Sequence, residues 1–333
     1  MRLSLKRRCS TREPCCQGEQ KLSQPRPYMK KIASPVHSRQ HRPVASAPGS
    51  DVTQTRRVFL LGNPDKKEVG AVLDEVRSFA ESRCTVVGAG FDRDARAAAA
   101  SKPDRIVVLG GDGTLIGIAR SLGEHQVPLI GVNVGKLGFL AEFSLDELKR
   151  HFDQAMADDS LISRRMVLQV TVRRDGAVKS SGLAINDCVI QAGPPFRIIN
   201  LGISINGEHL TDVGGDGLIA CTPSGSTAHN LSAGGPIMQP DVDAIILTPL
   251  NPHSLTHKPL VVDRESVIEI VATTVNEGTT AIIDGQVSCP LQLGDRVTVQ
   301  QFPSDFLLVR NPQYPKWHNL MAKLHWGQSP TYE

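Results

Sequence analysis

The sequence lacks the apolar segments that mark membrane-spanning and secreted proteins. None of its hydrophobic runs approaches the roughly 18 residues that cross a bilayer, and its first residues lack the apolar core of a secretory signal. Aromatic residues make up only 4% of the chain, and no basic amphipathic helix is evident. We therefore expect a soluble, cytoplasmic protein without a membrane partner.

Cysteine patterns typical of metal sites and disulfide scaffolds are also missing. The seven cysteines are an odd number without the paired spacing of zinc sites, so we expect reduced thiols and no metal held by protein ligands. The chain contains neither the Gly-x-Gly-x-x-Gly dinucleotide fingerprint nor a Walker phosphate loop. These absences exclude the two commonest nucleotide-binding signatures.

Excess positive charge is confined to the first 50 residues. That segment has eleven Lys and Arg against two Glu, whereas the remainder has 26 basic and 32 acidic residues, a net charge of −6. Because the basic part lacks hydrophobic periodicity, we predict a disordered leader over 1–55 and no nucleic-acid partner. A transit peptide and a start codon placed too far upstream are the alternatives.

Residues 56–145 alternate strand-like and helical patterns. The apolar runs VFLLGN (58–63), DRIVVLGGDG (104–113) and VPLIGVNVG (127–135) each end in Gly or Asn. Between the first two, apolar residues recur at helical spacing from Val69 to Ala80. The pattern predicts a parallel sheet covered by helices, that is, an α/β amino-terminal domain. Ser144 and Glu147 form a capping-box pattern that leads out of it.

Residues 146–305 have a different rhythm. Segments such as MVLQVTVRR (166–174) and RVTVQQF (296–302) alternate with period two, and Asn206-Gly207 is a strong hairpin signal. We predict a mostly antiparallel β carboxy-terminal domain here. The last segment, 306–333, is assigned to neither domain. One option is that it returns to the α/β domain and packs on it.

The stretch LGGDGTLIG (109–117) follows the apolar strand of residues 106–108. Ligands of a parallel sheet bind beyond the carboxyl ends of its strands, and glycines let an anion approach backbone N–H groups at a helix start. Gly110, Gly111, Gly113 and Thr114 therefore form a candidate phosphate site. Asp112 is either a catalytic carboxylate or a residue that merely shapes the turn, and the nonapeptide alone leaves both open.

The motif GGDGT after an apolar strand resembles the signature shared by NAD kinases, diacylglycerol-type lipid kinases and phosphofructokinases. The long stretch DGLIACTPSGSTAHNLSAGGPIM (216–238) closely resembles the corresponding NAD kinase motif. AINDCVI (184–190), LTPLNPHSLTHKPLVV (247–262) and DGQ (284–286) stand in that family's order and spacing. The resemblance to the NAD kinase family covers roughly residues 57–325. The sequence departs from the family where His229 replaces the usual tyrosine.

This resemblance implies a Rossmann-like or phosphofructokinase-like parallel sheet and transfer of the γ-phosphoryl group of ATP, with Mg²⁺, to the 2′-hydroxyl of the adenosine ribose of NAD. Asp112 would be the catalytic base or orient the hydroxyl. The further residues expected to bind substrate or nucleotide are Asn186, Asp187, Arg197, Asp216, Thr227, Ala228, His229, Asn230, Leu231, Ser232, Asn251 and Gln286. A homo-oligomer, dimer or tetramer, is also expected.

Three alternatives stay open at this point. Polyphosphate could replace ATP as the donor. A lipid kinase also carries GGDGT, but it predicts an apolar cleft or a membrane-facing surface. A non-catalytic NAD(P)-binding regulator would keep the dinucleotide contacts and lose turnover, although here GGDGT is intact.

Overall fold

The structure is a computed structural model that describes residues 56–64, 69–91, 94–135, 138–315 and 317–324. The predicted leader, residues 1–55, lies outside the described residues. Among the described helices, none is long and apolar enough to cross a bilayer. The cysteines within this part are free thiols, as expected: Cys84, Cys188, Cys221 and Cys289.

The first part of the described chain alternates strands with helices. Its elements are β1 (Arg57–Gly62), α1 (Val69–Glu81), β2 (Thr85–Phe91), α2 (Ala95–Ala100), β3 (Arg105–Gly110), α3 (Asp112–Leu122), β4 (Leu129–Asn133), α4 (Leu145–Ala157) and β5 (Ile162–Arg165). Helix α1 buries Val69 and Val76 against the sheet, in line with its helical apolar spacing. The predicted capping box is confirmed, because Ser144 and Glu147 exchange side-chain to backbone hydrogen bonds at the start of α4.

The second part consists mainly of short strands. They are β6 (Leu168–Arg174), β7 (Ala177–Ala184), β8 (Asp187–Gln191), β9 (Ile199–Ile205), β10 (Glu208–Gly215), β11 (Gly217–Cys221), β12 (Ala244–Leu250), β13 (Leu260–Asp263), β14 (Ile268–Thr274), β15 (Thr280–Ile283), β16 (Val287–Pro290) and β17 (Arg296–Gln301). A short helix, α5 (His229–Ser232), lies between β11 and β12. The predicted hairpin turn at Asn206-Gly207 is confirmed, with φ of 52° and 82° between β9 and β10.

These strands form two six-stranded antiparallel sheets, ordered β10-β9-β14-β17-β6-β7 and β13-β12-β11-β8-β15-β16. Alternate side chains point into a common core. Val170 and Val297 come from the first sheet, and Ile190 and Leu218 from the second. The period-two pattern of the sequence thus corresponds to one buried face per strand.

Near its end the chain returns to the first sheet. Strand β18 (Phe306–Val309) lies parallel to β4 and antiparallel to β5, which gives the order β2-β1-β3-β4-β18-β5. Helix α6 (His318–Leu324) follows. Because β3 and β4 are parallel neighbours, the LGGDGT turn after β3 lies beside the loop after β4. The predicted fold class, an α/β part followed by mostly antiparallel β structure, is confirmed.

Candidate functional site

Asp112 is the first residue of α3, and its carboxylate is fixed by the loop after β4. Oδ2 accepts the backbone N–H of Phe139 at 2.6 Å, and Oδ1 accepts those of Leu140 and Ala141 at 2.9 and 3.0 Å. A Cβ added at Gly138 would lie 1.9 Å from Oδ1, so the loop can approach this closely only with glycine at that position. Asp112 therefore joins the two loops rather than only shaping its own turn.

The glycines before and after Asp112 bring backbone and hydroxyl groups to the same place. Thr114 Oγ1 accepts a hydrogen bond from Asn63 Nδ2 at 3.0 Å. A Cβ on Gly110 would meet Thr114 at 2.6 Å, whereas Gly111 has open space around it. The start of α3 thus presents backbone N–H groups and a positive helix end toward an open region, the arrangement that suits phosphate.

Asp284, in the DGQ turn, has the same kind of contact as Asp112. Its carboxylate accepts three consecutive backbone N–H groups, from Ile185, Asn186 and Asp187, at 2.9, 2.8 and 3.1 Å. Sequence reasoning placed Asp284 in the DGQ motif but gave it no role of its own. In the structure, Asp284 holds the segment that carries the predicted pair Asn186 and Asp187.

Arg120 connects α3 to that turn. Its Nη2 donates to Gln286 Oε1 at 2.8 Å, and its Nη1 lies 3.9 Å from Asp284 Oδ2. Gln286 Nε2 in turn donates to the backbone oxygen of Gly113 at 3.4 Å. The predicted residues Asp112, Gly113 and Gln286 are therefore neighbours. Sequence reasoning missed Arg120, which lies in the last turn of α3 and belongs to none of the recognised motifs.

Asp187 has a strongly perturbed acidity. Its carboxyl is almost fully buried, and that burial, reinforced by the negative charge of Asp284, raises its pKa to about 7. Asp284 is compensated by three N–H groups and by Arg120, whereas no described residue donates a hydrogen bond to the Asp187 side chain. Asp187 is thus a carboxyl group that changes charge near neutral pH.

Part of the long SGSTAHNLS motif borders the same region. Ala228 and His229 line a cavity of about 310 Å³ together with Asn186, Asp187 and Gly285. Thr227 lines a smaller adjacent cavity with Phe139 and Leu140. Leu231 is half-buried and Ser232 exposed on α5. The first cavity is therefore bounded by predicted site residues from two separate motifs.

Asn230 differs from its neighbours in the motif because its side chain is fully buried. Its Oδ1 accepts the hydroxyl of Thr248 at 2.6 Å, and its Nδ2 donates to the backbone oxygens of Ser226 and Pro236 at 3.1 and 3.0 Å. These contacts hold the loop to β12. Within the described residues, Asn230 is oriented toward protein rather than toward a cavity.

Three predicted residues lie away from this cluster. Asp216 accepts a hydrogen bond from Asn251 Nδ2 at 2.8 Å, next to where β11 begins, and Arg197 is exposed on the loop before β9. In the β8–β11 pairing, Asp187 is opposite Cys221, whereas Gly217 is opposite the last residue of β8. At about 3.4 Å per residue, the two groups are separated by roughly the length of β8. Within a single chain, the predicted site residues therefore do not all lie in one place.

The two halves of the chain match two family models. The model described as the ATP-NAD kinase amino-terminal domain matches residues 58–160, and that of the ATP-NAD kinase carboxy-terminal domain matches residues 185–311. An NAD kinase of Rhodopirellula baltica is 37% identical over 271 residues, which are 81% of this chain and 87% of the relative. An NAD kinase of Trichlorobacter lovleyi is 43% identical over 228 residues, 68% of this chain and 80% of the relative.

Solved structures agree with these matches. Yeast NADH kinase complexed with NADH superposes with a TM-score of 0.74 at 25% identity, covering 85% of this chain and 91% of the other. An NAD kinase from Archaeoglobus fulgidus in complex with ATP has a TM-score of 0.63 at 23% identity, covering 81% and 98%, which is a likeness of fold.

Proposed function

Since this chain belongs to the ATP-NAD kinase family and phosphorylates NAD, we propose that the phosphoryl group is transferred where the Asp112 and Asp284 turns meet. One observation carries this assignment: Arg120 and Gln286 join the start of α3 to the turn that holds Asn186 and Asp187. The comparisons favour neither the lipid kinase nor the non-catalytic regulator as an alternative.

Asp112 orients the attacking 2′-hydroxyl of the adenosine ribose in this proposal. A carboxylate has about four lone-pair sites, and three of those on Asp112 already accept backbone N–H groups. The remaining site can accept the hydroxyl proton and align its oxygen with the donor. The three contacts fix the position of the carboxylate, which is what alignment of the hydroxyl requires, so they support the orienting role.

The donor phosphates lie against the start of α3, where Gly111 has open space around it and Gly113 is exposed, while the buried Gly110 and Thr114 support the turn from behind. We propose that Mg²⁺ enters as MgATP and is held by the phosphates of the nucleotide. Mg²⁺ in such sites is bound mainly through substrate phosphates and water. The ion neutralises charge on the transferring group.

The adenosine half of NAD occupies the cavity bordered by Asn186, Asp187, Ala228 and His229. The Asn186 amide suits the adenine edge, and a carboxyl oxygen of Asp187 can accept from a ribose hydroxyl. Asp216, Asn251 and Arg197 would contact the more distant nicotinamide half. These assignments rest on the cavity lining and on the motif resemblance.

We also propose that the protein is a homo-oligomer and acts in the cytoplasm. Two edge strands, β10 and β13, carry exposed apolar residues: Leu210, Leu260 and Val261. Pairing with a second copy would cover such edges. Sedimentation of the purified chain would show a dimer or tetramer, and a monomer at micromolar concentration would contradict this part.

The assay that tests the proposal measures NADP formation from NAD with MgATP, or with polyphosphate in place of ATP. Wild-type protein should turn over with MgATP, and D112N should lose at least about a hundredfold in kcat while keeping the KM for NAD. Lys179 is exposed on β7, so K179M serves as control and should match wild type. An undiminished rate in D112N would remove Asp112 from the reaction.

A further inference from the structure

Two positively charged side chains near Asp112 have buried nitrogens that lack hydrogen-bond partners. They are Lys323, on α6, and Arg165, at the end of β5. Among the described residues, nothing accepts a hydrogen bond from Lys323 Nζ or from Arg165 Nε. Burying a cation whose N–H donors are not all satisfied is costly, so this pair points to a missing negative ligand.

Lys323 is held over the loop that fixes Asp112. Its Nζ lies 4.4 Å from the centre of the Phe139 ring, and the backbone N–H of Phe139 donates to Asp112. Asn319 anchors the same helix, because its Nδ2 donates to the oxygen of Phe139 and to Glu142 Oε1, both at 3.4 Å. Helix α6 therefore brings an ammonium group to the candidate transfer site from the end of the chain.

Arg165 comes from β5 and also has only long contacts. Its side chain is 8% exposed, yet its contacts are long: Nη1 donates to Ser224 Oγ at 3.4 Å, and Nη2 is 4.0 Å from Glu142 Oε1. Arg165 lines the small cavity that also contains Thr227 and Phe139. Its guanidinium is thus next to a predicted substrate contact.

The electrostatic surroundings of the two cations are shared. Burial lowers the pKa of the Lys323 ammonium and of the Arg165 guanidinium, while the charges of Asp112 and Glu142 partly oppose this effect at both. Near Arg165, Asp241 adds a further negative charge and Arg310 a like charge. Glu142 is itself buried, which raises its pKa and limits how much negative charge it supplies. An anion placed here would give both cations a direct negative partner.

We propose that Lys323 and Arg165 bind the phosphate that is attached to the ribose 2′ oxygen, both during transfer and in the product. The inference rests on the proposed function, in which Asp112 holds that oxygen. A phosphate monoester carries about −1.5 to −2 charges, which would be repelled by the Asp112 carboxylate unless cations are adjacent. Lysine has a flexible four-carbon stem, so Nζ can move from the Phe139 ring onto a phosphate oxygen.

Binding of NAD and of NADP tests this directly, because the two ligands differ only by that phosphate. Isothermal titration of the full chain should show that K323M weakens the affinity for NADP by about ten- to a hundredfold, the range for a lost charge-assisted hydrogen bond. The affinity for NAD should change less than about twofold. K323R, which keeps the charge, should retain most of the NADP affinity. K179M is the matched control and should change neither ligand.

The arms of this experiment separate the possible failures. Equal weakening of NAD and NADP in K323M would mean that Lys323 only supports the fold, and unchanged NADP affinity would overturn the proposal. R165M, which removes the charge, should reproduce the selective loss of NADP affinity; if that buried substitution prevents folding, the Lys323 variants decide alone. Failure of wild-type turnover would instead count against the proposed transfer site, since the ratio of NADP to NAD affinity is measured without catalysis.

Discussion

The carboxylate of Asp284 accepts the backbone N–H of Asp187 at 3.1 Å, so two buried acidic residues meet at one turn. Asp284 has three N–H donors and the nearby Arg120 guanidinium to balance its charge. For Asp187, burial and the negative charge of Asp284 both oppose ionisation. In such a coupled pair the better compensated group ionises first, which leaves the proton near neutral pH on Asp187.

The acidity of Asp187 predicts a pH dependence of stability. Because its pKa is raised to about 7 in the folded protein, the folded state binds this proton more tightly than the unfolded chain does. Its stabilising contribution is complete below the ordinary pKa of an aspartate and is lost as pH rises through about 7. At pH 8.5, D187N should therefore be more stable than wild type by ~1–4 kcal/mol, with a smaller difference at pH 5.

Thermal unfolding at the two pH values checks this prediction. Asp175 is exposed in a hairpin turn, so D175N serves as the control. It should shift the unfolding midpoint equally at both pH values. If D187N and wild type lose stability in parallel as pH rises, Asp187 is not the group that titrates.

Gly138 offers a way to disturb Asp112 without replacing it. An alanine Cβ at this position would lie 1.9 Å from Asp112 Oδ1, so G138A must displace either the carboxylate or the loop. We expect kcat to fall by at least about tenfold, since small misplacements of aligned groups are costly. Gly70 in α1 has open space around it, and G70A should retain full activity. A fully active G138A would show that the Asp112 geometry is not needed for turnover.

Much of the fold could be predicted because its signals are local. The 3.6-residue spacing in α1, the Ser144 capping box and the Asn206-Gly207 turn each depend on residues close in sequence. The insertion of β18 between β4 and β5 could not be predicted in that way. That pairing joins segments far apart in the chain, and nothing within residues 306–309 specifies the strand they pair with.

The site shows the same division. The motifs identify Asp112, Asn186 and Gln286, and the structure brings them together. The groups that position them come from elsewhere: N–H donors of residues 139–141 hold Asp112, and Arg120 reaches the DGQ turn from the last turn of α3. These contacts depend on tertiary structure and leave no periodicity or motif in the sequence.

The contact between Arg120 and Gln286 should be detectable as coupling in catalysis. Their 2.8 Å hydrogen bond joins α3 to the DGQ turn, so R120M should lower kcat/KM by roughly tenfold. In the R120M background, Q286A should lower kcat/KM little further, because the effects of substitutions within one hydrogen-bond network are not additive. A double-mutant cycle on kcat/KM measures the coupling energy between the two side chains. The control is R77M in α1, which removes an exposed Arg–Glu pair. Fully additive effects would mean that the two side chains act independently.

Asn230 and His229 are adjacent in sequence, and the structure predicts opposite phenotypes for them. N230A leaves the Thr248 hydroxyl and two backbone oxygens without their buried partner, which should cost roughly 2–4 kcal/mol of stability, with little change in the KM for NAD. His229 is exposed and lines the cavity, so H229A should raise that KM and leave the unfolding midpoint in place. Calorimetry and steady-state kinetics on the two variants test the contrast. A raised KM without lost stability in N230A would instead make Asn230 a ligand contact, as the motif resemblance implies.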